Sequence, residues 1–267
     1  RSIFMVDDNF IGNKRNVKLL LKELAPWMAE HSYPFRFSTE ASVDLAQDQE
    51  LLDLMIAANF NGVFLGIETP DTDSLATTQK FQNTRNSLLE AVKKINQSGL
   101  RVMSGFIIGF DGEKPGAGQR IIDFVEATAI PHAMFSMLQA LPNTALWHRL
   151  QKEGRLLEGR GVANISQTTL INFIPTRPVE DLAREYVRCF WELYEPKRYL
   201  ARTYRHFLQM RPSPNKKKFR LPALTDIRAM LTICWRQGIK RNTRWQFWQQ
   251  LFGIIRQNPG VFEHYLI

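Results

Sequence analysis

The sequence predicts an α/β fold: five parallel strands, as in part of a barrel, followed by a mostly α-helical C-terminal region. Three observations carry that expectation. Short apolar runs alternate with amphipathic helical stretches in units of roughly 30 residues, the repeat of a parallel βα sheet or barrel. Four of the runs end directly on acidic or glycine-rich residues. Beyond Pro178 the alternation stops and only helical periodicity remains.

The strands come in order. Ile3-Phe-Met-Val6 is the first, and Asp7-Asp8-Asn9 leave its C-terminal end. A helix from about Arg15 to Glu30 follows, with Val17, Leu20, Leu21 and Leu24 on one face and Pro26 as a point of kinking or division. Phe35-Arg-Phe-Ser-Thr39 alternates like a strand and delivers Glu40; Asp48 then caps a helix whose stripe is Leu51, Leu52, Met55 and Ile56. Gly62-Val-Phe-Leu-Gly-Ile67 is the third strand and ends in Glu68-Thr69-Pro70. After a polar loop, a helix over 86–97 is stopped by Ser98-Gly99.

The fourth strand organises the rest. Met103 to Ile108 is a nearly continuous apolar run, the pattern of a strand covered on both faces, and it opens into the glycine-rich Gly109-Phe-Asp-Gly-Glu113. Gly105 and Gly109 remove side chains where a flat ligand could meet the backbone, although such glycines also suit a bend or tight packing. A helix near 119–128 leads to the fifth strand, His132 to Leu138. Leu141-Pro-Asn-Thr144 makes a capping turn before the helix Ala145–Glu153, which Gly154 ends. Residues 155–178 read as a connection with one extended piece, Leu170 to Ile174, and helices follow over 179–195, 197–210, 224–237 and 243–256, then a last one reaching Ile267. Pro212 to Lys218 reads as a solvated linker.

Composition narrows the classes. With 267 residues and 44% hydrophobic content, disorder is excluded as the default. No apolar run reaches the ~20 residues needed to span a bilayer, and no signal peptide is recognisable, so a cytoplasmic protein is expected. Cys189 and Cys234 lie far apart in helical contexts and read as packing residues of a reducing compartment, without metal-ligand spacing. Residues 177–267 hold 18 Lys and Arg against 7 Asp and Glu, a net +11, whereas the remainder is −2. A near-neutral sheet region thus carries a basic helical end, which suggests an anionic partner or surface.

Acidic groups at the ends of parallel strands share the rim where barrels place their chemistry. Asp7-Asp8, Glu40, Glu68 and Asp111-Glu113 all fall there. Together, Phe4-Met-Val-Asp-Asp-Asn-Phe10, Gly66-Ile-Glu-Thr69, the G-x-I-x-G of Gly105, Ile107 and Gly109, and Leu141-Pro-Asn-Thr144 resemble the radical S-adenosylmethionine (SAM) enzymes. The nearest resemblance is to the branch that adds a cobalamin-binding domain and a helical C-terminal domain of unassigned function. It implies a (β/α)6 TIM-like barrel of which this chain supplies the second to sixth strands: a partial barrel over 1–155, a connecting segment over 156–178 and a truncated basic helical domain over 179–267. Opening on a strand at Arg1 without Met and ending inside a helical pattern, the chain reads as part of a longer protein.

The resemblance also implies roles. Gly105, Ile107 and Gly109 would contact the SAM adenine, Glu68 the ribose and Glu40 the amino group. Asp7 and Asp8 match an acidic pair for which a substrate-side or cluster-side role is implied. Glu113 lies one place beyond the motif's acidic position and receives no contact, and Asn143 and Ala145 depart from a P-G-T-P turn. The three-cysteine C-x-x-x-C-x-x-C loop that holds a 4Fe-4S cluster is absent from the chain, so no metal ligand is assigned. The resemblance places that loop and the cobalamin domain upstream of Arg1, and on that reading the chain alone is inactive. Cobalamin-dependent methyl transfer to an unactivated carbon is the implied reaction, on a small-molecule or lipid-like substrate. Another radical SAM chemistry, such as methylthio transfer to tRNA, and a non-catalytic α/β binding protein remain open.

Three readings of the basic end compete. Its aromatic stripe (Trp245, Trp248, Leu251, Phe252, Ile255) could pack on the barrel while Lys197, Arg198, Arg202, Arg205 and Arg211 form a solvated face. An interfacial helix pair could touch anionic lipid, making the protein peripheral to a membrane. Nucleic-acid binding ranks last.

Overall fold

The computed structural model describes residues 1–70, 87–157, 171–215 and 224–266. The polar loop after Pro70, the start of the Leu170–Ile174 piece and Lys216–Lys218 of the linker lie outside the described residues. Strands β1 (Ser2–Met5), β2 (Arg36–Ala41), β3 (Phe60–Glu68), β4 (Arg101–Ile108) and β5 (His132–Met137) form one parallel sheet whose spatial order is the sequence order. That order never reverses, so the sheet is an arc of a barrel and not a doubly wound sheet with a switch point. Helices α1 (Lys14–Glu30), α2 (Gln49–Ala57), α3 (Leu88–Ser98) and α4 (Ala117–Thr128) pack each on the next in chain order. After α5 (Ala145–Lys152) come α6 (Val179–Leu193), α7 (Pro196–Gln209), α8 (Leu224–Trp235), α9 (Arg244–Gln257) and α10 (Phe262–Leu266).

Local chemistry explains the element ends. The side chains of Asn13, Asp48, Thr144 and Glu195 each accept a hydrogen bond from an otherwise orphaned first-turn N–H of α1, α2, α5 and α7. Gly99 closes α3 at φ +108°, a left-handed value that glycine adopts without steric cost. Pro26 does not divide α1, which continues through it to Glu30. The buried stripe of α1 is Val17, Leu21 and Met28, with Leu20 exposed, because the 3.6-residue turn carries position 20 off the face that 17, 21 and 28 share.

β2, β4 and β5 alternate strictly, and here the expectation of a strand covered on both faces fails. On β4, Val102, Ser104, Phe106 and Ile108 are buried, while Arg101, Met103, Gly105 and Ile107 are only half-buried. The helices cover one face alone among the described residues. Against it Phe106 stacks on Phe135 at 6.0 Å, and Phe135 meets Phe190 of α6 edge-on at 5.2 Å. Burying each such ring contributes about 2 kcal/mol or more. The one buried hydroxyl of β4, Ser104, is satisfied by donating to the Leu65 carbonyl at 2.8 Å. Leu182, Cys189 and Leu193 of α6 belong to this same core, so the core continues across residue 178.

The C-terminal helices pack under the N-terminal ends of the strands. Asn96 at the end of α3 donates to the His206 carbonyl of α7, Asn215 donates to the Ile56 carbonyl, and Arg36 at the start of β2 pairs with Glu263 of α10. Arg202 corrects the solvated-face reading, because its side chain is 0% exposed. Its guanidinium donates to the carbonyls of Ile130 (2.8 Å) and Leu193 (2.7 Å) and to Glu126 Oε1 (2.9 Å). Arg205 holds the other Glu126 oxygen at 2.7 Å. The aromatic stripe of α9 does not pack on the barrel either. Its inward residues are Phe247, Gln250, Leu251 and Ile254, while Trp245 is 76% and Phe252 63% exposed.

At the opposite end, the loop after β4 is locked by arginines. Asp111 accepts a two-pronged contact from Arg155 (2.7 and 3.0 Å) and another from Arg149 (2.8 Å). Glu113 is buried, accepts from the Gly109 N–H at 3.0 Å and lies 3.3 Å from Arg177. Arg177 also pairs with Glu185, whose two oxygens accept from the amides of Gly116 and Gly118 at the start of α4. Asp111 and Glu113, grouped with the rim carboxylates by their position in sequence, therefore build the loop. Burial pushes the Glu113 carboxyl up to about 7, against the opposing pull of the Gly109 amide and Arg177.

Two outcomes follow. Arg202→Leu leaves two carbonyls and one oxygen of Glu126 without their donor and should cost about 3 kcal/mol in urea denaturation, with Arg202→Lys restoring little of it. Glu113 keeps its proton to higher pH when folded than when unfolded, so its contribution is largest below about pH 4.5 and is lost as the pH rises through 7. Denaturation curves for Glu113→Gln should show the wild type losing up to ~3 kcal/mol relative to the variant between pH 5 and pH 8.

Candidate functional site

The sheet face that the helices leave uncovered is assembled by register. Glu40, Phe64, Met103 and His132 stand in one row across β2 to β5. Gly66, Gly105 and Met134 form the next row toward the strand C-termini, and Ile107 beside Ser136 the one above it. All lie on one face because side chains along a strand alternate with period two. The sequence reading placed Glu40, Gly105 and Ile107, and the structure brings them together. It missed Phe64, Met103 and Ser136, which were absorbed into apolar runs. Stepping two residues at a time from Glu40, Gly105 and Ile107 through the paired strands would have found them.

Glu68 reaches the rim through an irregularity. The pairing of β3 with β4 slips between Gly66 and Glu68, so that Ile67 is buried as an extra residue and Glu68 follows half-buried. Its φ of +67° is left-handed, uncommon for a residue with a side chain, and such strain concentrates at functional positions. Glu40 ties the rim through its backbone, its carbonyl accepting from the Phe10 amide at 3.0 Å. Asn9 adds to this seam by accepting from the Ser42 amide and hydroxyl. Asp7 and Asp8 are exposed just past β1, and Asp7 accepts from the Asn9 amide at 2.8 Å. They reach the same rim from the arc's edge.

The two motif glycines act differently. A Cβ on Gly105 would stand 3.0 Å from the tip of the Phe64 ring, so that ring leans on the strand and, with Gly66 alongside, makes a flat floor. At Gly109, φ +107°, a Cβ would come 2.9 Å from Ile171, and the Gly109 N–H is already taken by Glu113. Gly109 is thus committed to packing and has only its carbonyl to offer.

A flat apolar floor (Phe64, Gly66, Gly105, Ile107) with carboxylates at one edge (Glu40, Glu68) has the chemistry to hold a planar base whose attached sugar and ammonium point along the rim. These residues fit SAM. They do not fit an iron–sulfur cluster: among the described residues no group of three His, Cys, Asp or Glu could hold a metal. Cys189 is buried with its thiol pushed up to about 12 by burial, the opposite of a ligand thiolate.

A family model described as a domain of unknown function (DUF4070) matches residues 144–267, starting at the cap of α5. An uncharacterized methyltransferase of Synechocystis sp. is 66% identical over all of this chain and 49% of its own length. Hopanoid C-2 methylase of Rhodopseudomonas palustris is 31% identical, again over all of this chain and 50% of its own length. The chain spans about half the length of the curated relatives it matches. Among solved structures, the radical SAM methyltransferase TsrM of Kitasatospora setae, with cobalamin and a 4Fe-4S cluster bound, superposes with a TM-score of 0.54 at 17% identity, covering 96% of this chain and 52% of that one. The cobalamin-dependent radical SAM enzyme OxsB, with aqua-cobalamin and SAM bound, gives 0.52 at 13% identity over 99% and 45%. In sequence the chain is similar to these two methyltransferases along its whole length, and its fold resembles that of the solved TsrM and OxsB structures.

Proposed function

We propose that the chain supplies the SAM-holding face of a cobalamin-dependent radical SAM methyltransferase acting on an unactivated carbon of a lipid-like substrate. The observation that carries the reading is the convergence of Glu40, Glu68, Gly105 and Ile107 on one uncovered sheet face at the strand C-termini. Kinship to a hopanoid methylase supports the substrate class. SAM, cobalamin and a cluster would supply the methyl group and the radical chemistry. With only two cysteines in the chain, the cluster must be held by other parts of the protein.

The chain's own residues bind and orient. Ile107, Phe64 and the two adjacent glycines hold the base flat against the strands. Glu68 accepts hydrogen bonds from the ribose hydroxyls, its slipped backbone aiming the carboxylate along the rim. Glu40 pairs with the ammonium. Asp7 and Asp8 flank the open edge of the arc, where a substrate-side or cluster-side role would place them.

Calorimetric titration of S-adenosylhomocysteine into the protein carrying this chain tests the pocket without needing turnover. Glu68→Ala should weaken binding about tenfold, the value of one charged hydrogen-bond pair, and unchanged affinity would remove Glu68 from the site. For the reaction, the intact reconstituted protein given SAM with a deuterated methyl group should place that label on a membrane lipid, read by mass spectrometry. Label on a tRNA base instead would assign a different chemistry to the same fold.

A further inference from the structure

Helix α8 has an arrangement that the reaction does not use. Leu224, Ile227, Leu231 and Trp235 recur at helical spacing along one side, and Thr225, Arg228, Thr232 and Arg236 run along the flank beside it. Such a face ordinarily packs on a core, yet α8 buries none of its residues. Leu224 is 85% exposed, Leu231 60% and Trp235 52%. Ile239 and Trp245 of α9 are exposed as well, and Trp248 fixes the junction between the two helices by donating to the Gly238 carbonyl at 2.9 Å.

The surroundings are cationic. Arg228, Arg236, Lys240, Arg241 and Arg244 are all exposed, and Asp226 is the one acidic residue between Leu224 and Arg256. Lys240 lies 5.9 Å from the centre of the Trp235 ring, joining the charge to the apolar face.

Charge selects the occupant. A second copy of the chain would set cations against cations. An apolar layer bounded by phosphates satisfies both the leucine–tryptophan face and its cationic border. No described helix is long and apolar enough to cross a membrane, and 12 residues span only ~18 Å, so the helix would lie along such a surface. We infer that α8 docks the protein on an anionic lipid surface, with Leu224, Ile227, Leu231 and Trp235 turned into the acyl boundary and the flanking arginines and lysines on the headgroups. The neighbouring helices α7 and α10 pack beneath the strands, at the end opposite Glu68 and Ile107. The surface therefore anchors the protein, and the inference stands whether or not the SAM reading does.

Flotation with vesicles of phosphatidylcholine alone, or with added phosphatidylglycerol, tests it on the protein as it exists. The wild type should float with the anionic vesicles and stay behind with the neutral ones. Leu231→Glu/Trp235→Glu should lower vesicle affinity roughly tenfold or more with an unchanged thermal melt, since neither side chain is buried. Arg228→Glu/Lys240→Glu should do the same and leave little salt dependence. Wild-type protein that ignores both vesicle types, or variants that float like the wild type, would overturn the inference. So would a dimer in light scattering that the Leu231→Glu/Trp235→Glu variant dissolves, or tight RNA binding that Arg228→Glu/Lys240→Glu abolishes.

Discussion

Strand alternation is the constraint on which the rest of this molecule depends. Every residue of a parallel strand faces either the helix layer or the opposite face, and neighbours in register share that choice. On β4, Val102, Ser104, Phe106 and Ile108 go to the helices and build the core with Phe135, Phe124 and α6. Met103, Gly105 and Ile107 are thereby committed to the other face. Fixing the core by hydrophobic burial fixes, without further cost, which side chains are available for a ligand.

The two ends of the strands are stabilised by different physics. Beneath the sheet, the helices from α7 onward are held through the buried Arg202, whose guanidinium satisfies carbonyls from the β5 approach and from the end of α6 while neutralising Glu126. Removing an arginine from such a place leaves several buried acceptors unpaired at once. At the rim, Asp111, Glu113 and Glu185 are spent on arginines and backbone amides that hold the loop after β4 and the start of α4. This divides carboxylates that look alike in sequence. Those of the β4 loop are structural, whereas Glu40 and Glu68, on β2 and β3, stand beside the floor made by Phe64 and Ile107.

The separation of rim from helical end also separates two surfaces. The strand C-termini carry a compact floor suited to a nucleoside, and the far end exposes a largely apolar helix with a cationic border. A basic region that reads as one feature by composition thus resolves into two. Arg202 is a buried ion-pair partner of Glu126 and Arg205 pairs with the same carboxylate at the surface, whereas Arg228, Arg236 and Lys240 face solvent beside exposed apolar side chains.

The five strands, their order, the capping residues Asp48, Thr144 and Gly99 and the placing of Glu40, Gly105 and Ile107 at or near strand ends were all determined by the sequence. These follow from local periodicity and from the hydrogen bonds that helix ends require. Tertiary structure alone decided what lies across distance. Whether Arg202 is solvated depends on carbonyls 72 and 9 residues away. Whether there is room for a side chain at Gly109 depends on Ile171, and whether Trp245 and Phe252 are covered depends on which face α9 turns to α7. Local patterns specify which groups are apolar, charged or small, but burial and pairing belong to partners that only the folded chain brings within reach.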